Sequence, residues 1–370
     1  MNSILPDDVP IIPEPTTKEY LNERQRVDYR EHREKFLEWL FTLGKRPEYG
    51  EGYSHAVVKN TAYRTDLFYR AVWDEDGYTT VITHDHADRY VRHLAAKDAS
   101  NSSKSKDLKG IKRLLKWRTH EKGEEEWEPS IAFYDRTGSS QPRDFLTKAE
   151  RAKIREAALN YGSIPAYDSV TPGERSRWKR YLSMRFSKPV SEVTAADWER
   201  ANGWKMPSLV WTSLDVGLRP IEVERAVASW VDVENGVLRI PREESSKNRD
   251  NWIVGLREQT VNALRRWIEE RRNYSMYDGT EALWLTREEN PYGSHSLKYV
   301  LGRLCEDAGI PVKNRQLSWY AIRHSVGTYM TREEGLAAAQ AQLRHKSEQT
   351  TMRYDQAPVE DRRDALDRMG

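Results

Sequence analysis

The chain has 370 residues, enough for two domains with a core each, and its single cysteine excludes disulfides and cysteine-based zinc sites. Its 60 Lys and Arg stand against 58 Asp and Glu for a formal net charge of +2, so a basic surface can arise only where charge is locally segregated. No run approaches about eighteen apolar residues, and the acidic, proline-broken start "MNSILPDDVPIIPEP" is unlike a signal peptide, so a soluble cytoplasmic protein without a membrane partner is expected.

Residues 1–16 carry four prolines and no periodicity, which predicts an extended tail. Residues 17–122 then read as an all-helical domain. Val27, Phe36, Leu37, Leu40 and Leu43 fall near one stripe that stops at Gly44, and further helices fit 55–73, 84–97 and 105–119. The "HDH" at 84–86 puts His84 and His86 on different faces of a helix, which suits a helix cap or the surface rather than a metal. In "SKSKDLKGIKRLLKWRTH", 103–120, Leu108, Ile111, Leu114 and Leu115 keep helical spacing, while Lys104, Lys106, Lys109, Lys112, Arg113, Lys116 and Arg118 face a single Asp107. Such a face is either merely solvated or a phosphate-binding surface.

Residues 123–143 mix an acidic run with Gly, Ser and Pro and read as a linker, with a second domain over 144–370. Thr147 with Glu150 three residues on forms a capping box that opens its first helix. "SWVDVENGVLRIP" is a hairpin with the turn dipeptide Asn235-Gly236, and "NWIVGL" at 251–256 offers a third strand. Helical patterns return from Arg257, with Cys305 on an apolar helical face. The fold class is therefore mainly α with a small antiparallel sheet: an all-α domain followed by an α+β domain.

Three phrases of this second domain carry chemistry. In "SLVWTSLDVGLRPIEVERA", 208–226, an apolar helix ends at Gly217 and Pro220 takes the first position of the next, which holds Arg219 at a tight junction. Arg219 there either serves an anion or pairs with Glu222 for structure. In "SWYAIRHSVGTYM", 318–330, Trp319, Ile322, Val326 and Tyr329 form a packed stripe and leave Tyr320, Arg323 and His324 on or near another face. In "AQLRHKSEQTTMRYDQ", 341–356, His345 follows a helix and Tyr354 comes nine residues later.

In this order the phrases resemble the tyrosine recombinase (phage integrase) family. "GLRPIE" matches its first arginine at Arg219, "SSKNRDNW" after the hairpin matches its lysine at Lys247, and "YAIRH" matches its second arginine at Arg323. "LRHKS" matches a histidine at His345, and "TTMRY" the tyrosine nucleophile at Tyr354. The resemblance covers roughly 145–358, and the basic helical domain before it is similar to the family's core-binding domain. One position departs: the family's His-x-x-Arg histidine is Tyr320 here, a weak base at neutral pH that can still donate a hydrogen bond. His324 is a partial substitute, although helix geometry turns it about 100° from Arg323.

The resemblance implies cleavage of a DNA phosphodiester by Tyr354, with Arg219 and Arg323 clamping the phosphate, His345 adding a hydrogen bond, and Lys247 protonating the leaving 5′ oxygen. A 3′-phosphotyrosyl link would conserve the bond energy, so no cofactor and no metal are expected. It implies double-stranded DNA with specific recombination sites as partner, held between the Lys104 to Lys116 face and the catalytic domain, and a homotetramer assembled on two sites through the tail after Tyr354. A nucleoid-associated protein of a prokaryotic or viral host fits this. Two alternatives stay open: a non-cleaving DNA-binding protein on the same fold, and a DNA-relaxing enzyme of the type IB topoisomerase kind.

Overall fold

Two units, Met1–Ser139 and Ser140–Gly370, make up the chain. The computed structural model describes residues 4–134, 144–245, 250–355 and 359–369. The first unit is helical among these residues: α1 (Glu14–Glu19), α2 (Glu23–Thr42), α3 (His55–Asp76), α4 (His84–Ala96) and α5 (Asn101–Lys122). Local chemistry sets the helix starts. Asn22 and Gln25 cap α2 reciprocally, and at α4 the Thr83 hydroxyl accepts from His86 N–H while the His86 ring accepts from Thr83 N–H. The "HDH" phrase is thus a capping box with histidine in the glutamate position.

The core of this unit joins Tyr29, Phe36, Leu37 and Leu40 of α2 to Phe68, Tyr69 and Val72 of α3 and Ile111, Leu114 and Leu115 of α5. Val27, expected on that stripe, is 69% exposed, since nine residues put it about 180° from Phe36; the fully buried Arg33 is on the inward face. Its guanidinium donates to Ile11 O, Thr65 Oγ1 and Ala62 O, so a buried cation is satisfied by three oxygens. One of these bonds corrects the expectation of an extended tail. Leu5 and Val9 are buried in the same core, Ile11 and Ile12 pack against it, and Asp8 pairs with His55 and Lys59. The prolines prevent a long helix there but leave apolar side chains that gain by burial. The acidic stretch after α5 likewise belongs to this unit in part, since Trp127 is buried and Ile131 and Phe133 pack on the core.

The second unit holds α6 (Lys148–Asn160), α7 (Pro172–Phe186), α8 (Ala195–Glu199), α9 (Lys205–Val216), α10 (Pro220–Arg225), β1 (Val231–Asp232), β2 (Val237–Ile240) and β3 (Trp252–Gly255). It continues through α11 (Glu258–Arg271), α12 (Ser294–Asp307), α13 (Trp319–Leu343), α14 (Glu348–Thr351) and α15 (Val359–Met369). The sheet is antiparallel in the order β1-β2-β3, with Leu238 opposite Val231 and Val254. Helix α9 is the central element. Met206 to Val216 are buried apart from the half-buried Trp211, and α6, α11 and α13 pack around it. Its apolar sequence runs all round because neighbours cover every side.

Two arginines on α6 tie this centre together. Arg151 donates to Ser325 Oγ of α13 and Leu214 O of α9, while Arg155 pairs with the buried Asp215, whose other oxygen accepts Arg257 N–H. Thr147 and Glu150 form the expected capping box, and Arg315 then pairs with Glu150 and donates to Phe145 O. Cys305 is buried and unpaired. Among the described residues no helix is long and apolar enough to cross a membrane.

Beside α9 a smaller core of Ile164, Trp178, Leu182 and Trp198 surrounds α7 and α8. At its border Glu270 is fully buried, accepting from Trp204 N–H, Tyr181 OH and Tyr274 OH. Burial outweighs these donors and pushes its carboxyl up to about 7. A carboxyl raised in the folded state favours folding below its unfolded value of 4.5, and that advantage is lost as pH rises through about 7. Comparing urea unfolding of the wild type with Glu270→Gln should therefore show the wild type losing up to about 3 kcal/mol relative to the variant between pH 4.5 and 7.5.

Candidate active site

The site starts from the chain reversal after α9. Gly217 sits at φ +60°, and a Cβ there would lie 2.8 Å from Leu343 Cδ2 and 3.4 Å from the Arg323 backbone. Only glycine supplies both the left-handed conformation and the close approach. Two residues on, Arg219 is the N-cap of α10 with Pro220 behind it. Its backbone N–H donates to Glu222 Oε2 at 2.8 Å and its guanidinium to Oε1 at 2.7 Å. Helix α10 has six residues, so its dipole is a minor contributor and the charge at this junction is that of the arginine itself.

Glu222 is shared. Its Oε2 also accepts from Arg344 at 2.7 Å, and both side chains of that pair are almost fully buried. Burial alone would raise this carboxyl, but Arg344, Arg219 and Arg323 together hold it down to about 2. Arg344 itself is a non-glycine residue at φ +57°, closing α13. It donates to Val216 O, Gln342 O and Glu222, and these bonds offset the strain of a left-handed arginine, on the order of 1–2 kcal/mol. Sequence reading passed over Arg344. Its only signal was its place before His345, and its role depends on a backbone conformation that sequence does not display.

Arg323, on α13, is 2% exposed. It donates to Gly217 O at 2.6 Å, to Leu343 O, and to His345 Nε2 at 2.9 Å. Burial first, then Arg344 and Arg219, lower its guanidinium to about 9, so it stays charged at neutral pH. An arginine can only donate; His345 Nε2 therefore accepts, and the ring proton lies on Nδ1, 3.0 Å from Thr351 Oγ1.

The Tyr354 ring stacks on His345, centroids 5.5 Å apart and planes 17° off parallel. It is 8% exposed and clusters with Val326 and Leu343. Gly327 makes this seat: a Cβ there would stand 2.5 Å from Tyr354 Cδ1 and 2.9 Å from Leu343 Cδ1. The His324 ring also lies 5.2 Å from that of Tyr354, tilted by 37°, and Tyr320 follows at 6.5 Å from His324. Arg219, Arg323, His345 and Tyr354 thus come from three separated segments into one cluster around Gly217 and Glu222. Among the described residues no group of His, Cys, Asp or Glu is placed to hold a metal ion.

Residues 199–360 match the phage integrase family. Through this segment the chain is similar to that family. The type 1 fimbriae regulatory protein FimE of Escherichia coli is 28% identical over 179 residues, 48% of this chain and 85% of FimE. In fold, the chain is similar to the XerH site-specific recombinase in its post-cleavage complex, with a TM-score of 0.57 at 14% identity over 94% of this chain and 90% of that one. The integrase of the Tn1549 transposon gives 0.51 at 14% identity, over 88% of this chain and 98% of that one.

Against the integrase pattern, the structure leaves one position undescribed and alters another. Lys247 lies outside the described residues; the flanks of its loop are anchored by Ser245 N–H on Pro241 O and by Arg242 N–H on Asn251 Oδ1. On the helical unit, Lys104 is not part of the cationic face. It is buried and donates to Ala95 O, because the last turn of α4 offers an unsatisfied carbonyl and a favourable dipole. Lys116 bridges Gly44 O and Lys45 O after α2, and Arg113 lies over the Tyr53 ring while donating to Thr61 Oγ1. Lys106, Lys109 and Lys112 are exposed and engage no protein group among the described residues.

Replacing Glu222 by Gln leaves Arg344 and Arg219 without a buried counter-charge. A loss of about 3–5 kcal/mol is expected in urea unfolding at pH 7. Glu222 has a depressed pKa, so its contribution is present above about 4.5 and fades as pH falls toward 2; the gap between wild type and variant should narrow over that window.

Proposed function

We propose that this integrase-family protein cuts and rejoins DNA at specific sites through Tyr354, and that its biological task is integration or excision of a viral or mobile element. The carrying observation is the convergence of Arg219, Arg323, His345 and Tyr354, with Tyr354 stacked on an imidazole that is bonded to Arg323. Site-specific recombination by a tyrosine nucleophile is the family's activity, and FimE, XerH and the Tn1549 integrase carry regulatory, recombinase and integrase names in turn.

In this reading the Tyr354 oxygen attacks phosphorus, the bond from phosphorus to the 5′ oxygen breaks, and a 3′-phosphotyrosyl link remains. Arg219 and Arg323 bind the non-bridging oxygens, where a fixed positive charge stabilises the extra negative charge of the transition state. His345 joins them once its proton sits on Nε2, the nitrogen that now accepts from Arg323. Lys247 donates a proton to the departing 5′ oxygen; this role rests on its place after the hairpin. Reversal of the same steps with a different 5′ hydroxyl rejoins the strands without an external energy source.

The helical unit serves as the core-binding domain, with Lys106, Lys109 and Lys112 of α5 reaching phosphates. Four subunits on two duplex sites, in the cytoplasm of the host, complete the assembly. A non-cleaving DNA-binding protein is the second reading, favoured by Tyr320 where the family carries histidine.

Incubation with a nicked suicide duplex carrying the cognate site should trap a covalent adduct with the wild type and none with Tyr354→Phe. No adduct from a wild-type protein that still binds the duplex sinks the cleavage reading. Arg219→Ala and Arg323→Ala should each slow adduct formation by about 10³-fold or more. Neutralising Lys106, Lys109 and Lys112 together should weaken binding uniformly across sequences and lower the slope of log K against log salt by up to about 3.

A further inference from the structure

We infer that His324 has taken the place of the missing histidine at 320, as the imidazole that positions Tyr354 and accepts its proton when attack begins. The inference rests on the cleavage reading above and concerns a residue outside the Arg, Lys, His and Tyr set of the family pattern.

Three observations carry it. Tyr320, His324 and Gly327 are four and three residues apart on α13, and so share one face of the helix. Tyr354 lies against that face: Gly327 leaves room for its ring, and the His324 ring is 5.2 Å away. The rotation of about 100° that separates His324 from Arg323 therefore turns it toward the nucleophile, while Arg323 turns toward Gly217 O and Leu343 O. Second, the other imidazole beside Tyr354 has other work. His345 Nε2 accepts from Arg323 and Nδ1 engages Thr351 Oγ1, so its nitrogens are committed to the arginine cluster. Third, Tyr320 is 40% exposed and its ring contact is with His324, at 6.5 Å; a phenol hydroxyl is also better suited to donating a hydrogen bond than to accepting a proton.

The proton balance is simple. The Tyr354 hydroxyl loses its proton to the His324 imidazole as the bond from Tyr354 oxygen to phosphorus forms. The 5′ oxygen leaves and takes a proton from the general acid. In rejoining, His324 returns the proton to the tyrosine. The titratable and charged groups at this face are Tyr320 and Arg323 on α13, and Tyr354 and His345 from the segment that follows it.

The test measures initial rates of adduct formation on the nicked suicide duplex between about pH 5.5 and 9. A proton acceptor acts in its neutral form, so the wild-type rate should rise through the imidazole range, near pH 6.5, and level off. His324→Phe keeps a flat ring of similar size against Tyr354 but cannot take a proton. It should bind DNA and unfold thermally like the wild type, form adduct about 10²-fold more slowly at pH 8, and lose the rise near pH 6.5. Adding Tyr320→His to that variant should recover at least about 10-fold of the rate. A His324→Phe protein with the wild-type rate and profile overturns the inference alone, as does a double variant no faster than the single one. Absence of an adduct from the wild type overturns the cleavage reading and this inference with it.

Discussion

The arrangement of the site depends on one buried carboxylate. Glu222 faces Arg219 and Arg344 directly and Arg323 at longer range, and these three positive charges hold it ionised despite near-complete burial. The reverse is also true: three guanidiniums so close together repel, and Glu222 is what makes their proximity tolerable. Two of them are candidates for the phosphate clamp. The third, Arg344, spends its donors on Val216 O, Gln342 O and Glu222, so it fixes where α13 ends relative to where α9 ends. The position of His345, the next residue, follows from that. A substrate phosphate arriving beside Arg219 and Arg323 would find their charge partly neutralised by Glu222 and geometrically prepared by it. This is pre-organisation at the cost of some local field.

Tyr354, the candidate nucleophile, is held differently. Tyr354 has no strong polar anchor in the described contacts; it is kept by a slot made of Gly327, Leu343 and Val326 and by the neighbouring imidazole rings of His324 and His345. Packing of this kind is worth a few kcal/mol at most, which allows the ring to leave its seat without disturbing the arginine cluster. Charge thus fixes the arginine cluster, whereas Tyr354 is seated by shape. That division would let Tyr354 move while the arginine cluster stays still.

The order of chemistry-bearing residues was legible because it lies in short phrases with local structural causes. Gly217 before a Pro-started helix, the capping box at Thr147 and the Asn235-Gly236 hairpin each dictate their own geometry, and all three formed. What escaped was decided at a distance. Arg33 turned inward because three backbone and hydroxyl oxygens from other segments satisfy it, while Val27 lies half a turn from Phe36 and faces out. Lys104 turned inward because α4 ends beside it. The first residues were expected to trail in solvent, yet Leu5 and Val9 found a core built by helices far along the chain. Arg344 escaped for another reason: nothing in "LRHKS" announces a left-handed arginine.

The segment that carries Tyr354 is fastened at both ends to the same helix. Before it, Arg344 and His345 are bound to Glu222 and Arg323. After it, Glu360 of α15 accepts from Tyr329 OH at 2.5 Å and Asp361 pairs with Arg332 at 2.9 Å, both on α13. Tyr329 stands two residues beyond Gly327, so the outer anchor lies close to the seat of the nucleophile. The tail after Tyr354 is therefore engaged within its own chain, through polar bonds, while Leu366 and Met369 of α15 remain 66% and 82% exposed. Exchange of this tail between subunits would have to break the Tyr329 and Arg332 contacts and would gain burial of those two apolar side chains. Such an exchange would loosen one end of the loop that holds Tyr354. The fastening thus couples the position of Tyr354 to the place where the C-terminal helix docks.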